Sequence, residues 1–554
     1  MKITDRSDLW WKTAVVYCLD VETYMDWNDD GSGDFEGLAH RLDHLAELGV
    51  SCLWLMPFQP SPRRDDGYDI TDFQAVDPRY GSLGDFVEFM RTAKDRGMRV
   101  IIDFVMNHTS DRHPWFQDAR RSRDSRFRDF YVWRDEPPAK QPQVVFPGEE
   151  SSVWEYDERT EQYYLHSFYR HQPDLNIANP AVRDEIAKTM GFWLELGVSG
   201  FRVDAVPFLI EPPSGVDVGD PHDFLRDIRR FLQRRSSDAI LLGEVNLDYA
   251  GQLDFFGHVD APAELTMQFD FPVMQRMYLS FVREDATPLA EMLAERPELR
   301  IEAQWANFVR NHDELTLDKL SDEEREEVFD AFAPEESQRI YGRGITRRLP
   351  PMVGGDPRRI ELAYSLLFSL PGTPVLFYGE EIGMGENPDL GGRLTVRSPM
   401  QWSTEANGGF SRAPARKLVA KPPTDGYAPE HVNVESQMHD PESLLAKIRL
   451  FAHRFRSSPE IGWGRLELLD AGEPAVLAHR LSADVGSFIA VHNFASTPVT
   501  VRLPLGDVTE GARLSDLLAD TVVPIDDRGR ADVEVAAYGY RWFRTVDSRD
   551  RRLT

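Results

Sequence analysis

Apolar residues recur along this chain in two alternating patterns. Short continuous apolar runs predict strands over residues 14–18, 51–56, 98–104, 199–203, 239–244, 265–269, 305–309 and 373–377. Amphipathic stretches such as Leu38 to Leu48 and Leu83 to Lys94 predict helices between them. Strands that alternate with helices pair in parallel through right-handed crossovers. Eight such units predict an α/β fold closed into a (β/α)8 TIM barrel.

Two departures interrupt that pattern. The gap between the third and fourth runs, residues 107–173, is rich in aromatics, Arg and Pro. Its length predicts an inserted domain after strand 3. From about residue 465 short alternating runs such as Val476 to Arg480 and Phe488 to Asn493 predict a C-terminal antiparallel β-sandwich, joined to the barrel by a helix over Leu444 to Arg456. The predicted division is a barrel on 1–106 and 174–462, an inserted domain on 107–173 and a sandwich on 463–554.

Composition narrows the partners. With 554 residues, 41% hydrophobic and 28% charged, the chain is a folded protein rather than a disordered one. A formal net charge of -30 argues against nucleic acid or an anionic membrane and is compatible with a neutral ligand. Cys18 and Cys52 lie in apolar runs and read as buried thiols. Met1 to Arg6 lacks the apolar stretch of a secretory signal, and no run reaches the ~20 apolar residues of a membrane helix. A cytoplasmic location is the expectation; homo-oligomerisation stays open.

The candidate chemistry sits at the strand ends. Asp204 lies in Gly200 to Val206, Glu244 ends Ala239 to Glu244, and Asp313 closes Asn307 to Asp313. Asn107 and His108 follow the run Val100 to Phe104. In a parallel barrel such positions converge on one face, where two carboxyls at close range serve as nucleophile and acid/base on a glycosidic bond. Arg202 shares a strand face with Asp204 and can hold it ionised; the plainer alternative is a structural ion pair. Glu244 as the acid would need a raised pKa. Residues 26–34 place Asp26, Asn28, Asp30, Ser32 and Asp34 at alternate positions with Gly31 at the turn. That pattern suits a hard cation, Ca2+ or Mg2+; a solvated turn is the alternative.

These four strand-end segments, in this order, resemble the four conserved regions of the alpha-amylase family of glycoside hydrolases. The resemblance implies Asp204 as nucleophile, Glu244 as acid/base and Asp313 as the carboxylate binding the sugar's 2- and 3-hydroxyls, with His108 and His312 bonding the same sugar. Asp65 to Asp69 resembles the family's first loop: Tyr68 would stack under the innermost glucose, and Asp65, partnered by Arg397, would hold its 4-hydroxyl and close the pocket. Gln172 opens a stretch, Gln172 to Asn176, that resembles a fifth motif. For metal, the family implies a structural cation on Asp26, Asn28, Asp30 and Asp34 with the Ser32 carbonyl, a second on Asn107, Asp174 and Glu211 with the carbonyls of Phe208 and Leu209, and no organic cofactor.

Long stretches, including Trp27 to Phe35, His108 to Phe116 and Arg310 to Leu317, resemble the trehalose synthase branch. That branch implies a small α-glucoside, maltose or trehalose, as partner, and maltose–trehalose interconversion as the activity. Departures fall around the second sugar: Gly243-Glu244-Val245-Asn246 replaces a usual Ala-Glu-Ala-Asn, and Gly391-Gly392-Arg393-Leu394-Thr395 a more acidic run. An α-glucosidase that hydrolyses the same sugars, and a non-catalytic amylase-like binding subunit, are the alternatives.

Overall fold

The computed structural model describes residues 9–210, 220–257, 262–506 and 511–546. Eight strands, Val16–Leu19 (β1), Cys52–Leu55 (β2), Arg99–Phe104 (β3), Gly200–Val203 (β4), Ile240–Gly243 (β5), Met267–Phe269 (β6), Gln304–Phe308 (β7) and Thr373–Phe377 (β8), close into a barrel. Every pairing is parallel, and β8 completes the ring against β1 with Val16 opposite Val375. Each strand falls on an apolar run in the sequence. The runs are continuous because both strand faces are covered, one by the barrel interior and one by helices; β2 and β5 are buried at every position.

The helices follow equally local rules. Leu83–Asp95 starts at a capping box in which Ser82 and Asp85 satisfy each other's backbone N–H, and it turns Phe86, Phe89, Met90 and Ala93 inward. Between β3 and β4 a three-stranded antiparallel sheet, Trp133–Arg134, Trp154–Asp157 and Gln162–Leu165, has its own small core of Val132, Val153, Trp154 and Leu165. A second small sheet, Leu315–Thr316, Arg339–Ile340 and Gly344–Ile345, lies between β7 and β8. Its two-residue strands carry no periodic signal, and the sequence did not announce them.

The C-terminal part contains Arg465–Leu469 (β9), Val476–Ala483 (β10), Gly486–Asn493 (β11), Val499–Pro504 (β12), Arg513–Asp516 (β13), Val522–Pro524 (β14), Arg530–Val535 (β15) and Tyr540–Val546 (β16). A six-stranded sheet of order β9-β10-β11-β16-β13-β14 faces the pair β12-β15 across a core that includes Ile489, Val491, Leu503, Val533 and Phe543. Its other face packs on the barrel. There Trp542 stacks on Phe451 of the helix Leu444–Ser457 and donates its indole N–H to Ser365 at 2.9 Å. Cys18 and Cys52 are buried free thiols.

Two histidines seal this junction. His479 Nε2 lies 2.8 Å from the Ser369 carbonyl and His492 Nε2 lies 3.0 Å from Ser365 Oγ, with the rings parallel and 6.1 Å apart. Burial pushes His479 down to about 4, and burial with its neighbour pushes His492 well below the usual range. An unfolded histidine takes up its proton near pH ~6.5. Stability from the neutral pair is therefore present above that pH and is lost as pH falls towards the folded value. The melting temperature should drop between pH 6.5 and about 4, and His479→Gln should flatten that slope; an unchanged slope would remove the pair from the acid response.

Candidate active site

The strand ends bring an arginine and three carboxyls together. Arg202, fully buried on β4, donates from Nη1 to Asp103 and to Asp204, each at 2.6 Å, and from Nη2 to Glu244 at 2.7 Å. Its guanidinium lies 5.2 Å from the Trp54 ring. Asp103 also accepts the Trp54 indole N–H at 2.9 Å and the Tyr68 hydroxyl at 3.1 Å. Asp103 was not singled out by sequence. Its signal was there, an aspartate inside the apolar run Val100 to Phe104, where a buried carboxylate needs a cation.

One cation facing three carboxyls cannot neutralise them all. Burial pushes the Asp204 carboxyl well above its usual range, against the pull of Arg202 and with the charges of Glu244 and Asp103 adding. Asp204, the more deeply buried of the two carboxyls, is the one whose raised state the structure shows. Ala205, next to Asp204, holds the left-handed φ of 46°, and its N–H reaches Glu244 at 3.3 Å.

Asp313, beyond β7, behaves oppositely. Burial would raise its carboxyl, but His312, Arg393 and Arg397 hold it well below the usual range. His312 Nε2 lies 3.1 Å from Asp313 and 2.7 Å from the Tyr68 hydroxyl, and the His312 and Tyr68 rings are stacked 5.6 Å apart. His108 Nε2 lies 3.2 Å from the Tyr68 carbonyl, and burial pushes it down to about 4, so it is neutral at pH 7.

The expected Asp65–Arg397 pair is not formed. Arg397 donates to Asp66 at 2.6 Å, to Asp313 at 2.8 Å and to the His312 carbonyl at 2.8 Å. Asp65 instead pairs with Arg393, which also grips Asp313 at 2.8 Å, and accepts from Gln172 Nε2 at 2.8 Å. The cause is the tight turn: Asp66 takes φ 49° and Gly67 φ 101°, which sends the two aspartates to different arginines.

Together these groups line a cavity of about 430 Å³ with Tyr68, His108, Asp204, Glu244, Asp313 and Arg393 on its inner wall. Its outer wall was not legible in the sequence. Phe146 from the inserted region stacks on Tyr169 at 4.5 Å, meets Tyr341 at 5.0 Å and lies 4.9 Å from the Arg393 guanidinium. Arg343 donates to the Val145 carbonyl at 2.9 Å. The insert and the small sheet after β7 thus meet over the cavity. Asn246, in one of the departing segments, donates to Asp318 at 3.0 Å, and both line the pocket.

The metal-loop residues are wound around their own backbone. Asp26 accepts the N–H groups of Asp29 and Gly31, Asp34 those of Trp27 and Gly37, Asn28 that of Asp30, and Asp30 that of Ser32. Gly31 has φ 104°, and a Cβ there would sit 2.3 Å from the Lys417 carbonyl. Of the second set, Asn107 donates to Asp174 at 3.1 Å, and burial pushes Asp174 up to about 7. Phe208 and Leu209 lie in the short helix Val206–Ile210, and Glu211 lies outside the described residues. Among the described residues the acidic side chains close enough to share an ion are Asp20, Glu22 and Asp66, where Arg63 already pairs with Glu22 and Asp66.

Paired carboxyls in a pocket at the C-terminal ends of parallel strands define a glycoside hydrolase or transglycosidase. Comparison with known proteins agrees. The profile of the alpha amylase catalytic domain matches residues 21–331 and 346–461, and that of the sucrose hydrolase-like C-terminal domain matches 486–544. The chain belongs to the alpha-amylase family. It is similar to a trehalose synthase of Pimelobacter sp. (strain R48), 41% identical over 97% of this chain and 96% of the relative. It is also 44% identical to a trehalose synthase of Thermus thermophilus over 97% of this chain and 55% of that protein. Among solved structures, trehalulose synthase from Pseudomonas mesoacidophila MX-45 superposes with TM-score 0.76 at 26% identity, covering 97% of this chain and 99% of that one.

Removing the shared cation leaves its carboxyls buried and uncompensated. Arg202→Met should cost about 3 kcal/mol of stability, read as a lower denaturation midpoint; an unchanged midpoint would mean that the carboxyls do not depend on Arg202.

Proposed function

We propose that this protein interconverts maltose and trehalose by intramolecular glucosyl transfer. The observation that carries the proposal is the placement of Asp204 and Glu244 on adjacent nitrogens of one guanidinium, beside a pocket narrowed by the Arg393–Asp65 pair. The innermost glucose occupies that pocket between Tyr68 and Asp313. Asp204 attacks its anomeric carbon while Glu244 protonates the glycosidic oxygen, so the C–O bond breaks as a β-glucosyl ester forms. The step requires Asp204 ionised, the form that Arg202 favours, and Glu244 protonated. The freed glucose turns, Glu244 takes the proton from its attacking hydroxyl, and the ester is displaced with the α-configuration retained.

Asp313, held ionised by its neighbours, is suited to accept hydrogen bonds from the sugar's hydroxyls; His108, which is neutral, and His312 are placed to bond the same ring. Arg393 is the residue that sequence reasoning undervalued: it takes the place given to Arg397 opposite Asp65, and Arg397 supports it through Asp313. Phe146 lines the cavity and is braced by Tyr169 and Tyr341, an apolar flank beside the site of the second sugar. The similarity to trehalose synthases along nearly the whole chain supports the same reading.

A structural divalent cation belongs to the proposal. The loop 26–34 offers hard oxygen donors from Asp26, Asn28, Asp30 and Asp34 with the Ser32 carbonyl, and the buried Asp174 with Asn107 offers a carboxylate short of positive charge. These donors fit Ca2+ or Mg2+. The cation would tie loops together and takes no part in the chemistry. The free thiols of Cys18 and Cys52 support a reducing, cytoplasmic setting.

Two experiments test the function. Asp204→Asn should lower turnover of maltose by about ten-thousand-fold with the fold intact by circular dichroism, and near-normal turnover would remove it as nucleophile. Wild-type enzyme given maltose should form trehalose before glucose accumulates. Glucose alone from the earliest times would replace interconversion by α-glucosidase action. For the metal, stripping with a chelator, verified by elemental analysis, should lower the melting temperature; no change on verified removal would end the stabilising role.

A further inference from the structure

The opposite end of the barrel carries a second cleft. It measures about 760 Å³ and opens between the N-terminal ends of β7 and β8 and the segment 461–468 that leads into the C-terminal sheet. Lys12, Arg296, Trp305 and Trp463 line it.

This cleft gathers a buried ammonium and an unpaired indole N–H in one lining. Lys12 is 7% exposed, and its ammonium donates to the Ala303 carbonyl at 2.6 Å, its one acceptor among the described residues, with the Trp463 ring 5.6 Å away. Trp305 is 4% exposed and its indole N–H finds no acceptor among the described residues. Arg296 spends its terminal nitrogens on Asp270, Asn307 and the Pro371 carbonyl, while its Nε has no acceptor among the described residues. Among the described residues, the unpaired buried side-chain atoms of the lining are thus N–H groups. Arg300 and Arg465 stand further out, beside Glu302 and Glu298.

In a chain of net charge -30 this is a local inversion of sign. Buried donors without acceptors cost free energy that a ligand rich in lone pairs and negative charge would recover. A neutral sugar brings as many donors as acceptors and answers this lining poorly. Burial lowers Lys12 to about 8, with Glu302 opposing, as for an ammonium short of negative charge.

We propose that this cleft binds a phosphate-bearing small molecule, with Lys12 and Trp305 as its buried donors, at a site separate from the catalytic pocket. The anion takes the free protons of the Lys12 ammonium and the Trp305 N–H, and Trp463 flanks whatever the phosphate carries. Binding at the N-terminal ends of the strands leaves the chemistry at their C-terminal ends open.

Calorimetric titration of the full chain at constant ionic strength tests this, with inorganic phosphate, glucose 1-phosphate and ATP as probes and glucose and chloride as controls. At least one phosphate should bind saturably, and Lys12→Met and Trp305→Phe should each weaken it about tenfold, the loss of one charge-assisted hydrogen bond. Maltose turnover without the probe should be unchanged in both variants. If Lys12→Met fails to fold, Trp305→Phe decides alone, since it removes the N–H and keeps an aromatic ring. Inorganic phosphate binding as tightly as the esters would make the ligand the free anion. An ester bound more tightly, and weakened by Trp463→Ala, would make it the ester. No saturable binding with a Kd below about 1 mM, equal binding by wild type and variants, or equal binding of chloride would each overturn the proposal.

Discussion

The buried guanidinium of Arg202 is the constraint on which the site depends. A charged group at zero exposure costs several kcal/mol unless it is paired, and here Asp103, Asp204 and Glu244 meet its two terminal nitrogens from three strand ends, while its Nε has no acceptor among the described residues. The same contacts fix where the two candidate catalytic carboxyls stand. They also crowd Asp204 with like charge, which adds to its burial in raising it. Trp54 and Tyr68 secure the partner Asp103 from a neighbouring strand and a loop.

Around this centre the pocket is closed by parts distant in sequence. Arg393 ties Asp65 to Asp313, and its guanidinium lies beside Phe146 of the inserted region. Phe146 in turn meets Tyr169 and Tyr341. A shift of the insert would be felt at Arg393 and through it at Asp313. Of the segments that depart from the family pattern, Gly243 to Asn246 carries Glu244 against Arg202 and Asn246 against Asp318, and Gly391 to Thr395 carries Arg393 in this outer ring.

The C-terminal sheet stands apart from the chemistry but is joined to the barrel by polar contacts as well as apolar ones. Trp542, His479 and His492 converge on Ser365 and Ser369 of one barrel helix. Buried hydrogen bonds of this kind fix one docking angle, because any other leaves donors unmet. The cleft with Lys12 lies along the same junction.

The sequence by itself determined the barrel strands, the position of each carboxyl at a strand end, and the change to antiparallel structure near residue 465. Those features are local: a buried parallel strand is apolar except where a polar side chain finds a partner, as Asp103 and Arg202 do, and a residue just past its end lies at the barrel's mouth. Tertiary structure alone decided the pairings. Asp65 with Arg393 rather than Arg397 turns on the left-handed φ of Asp66. Asp103 gains its role only when β3 lies beside β4. The cluster of Phe146, Tyr169 and Tyr341 joins residues nearly two hundred positions apart. Such contacts are set by how whole elements pack, and no window along the chain contains them.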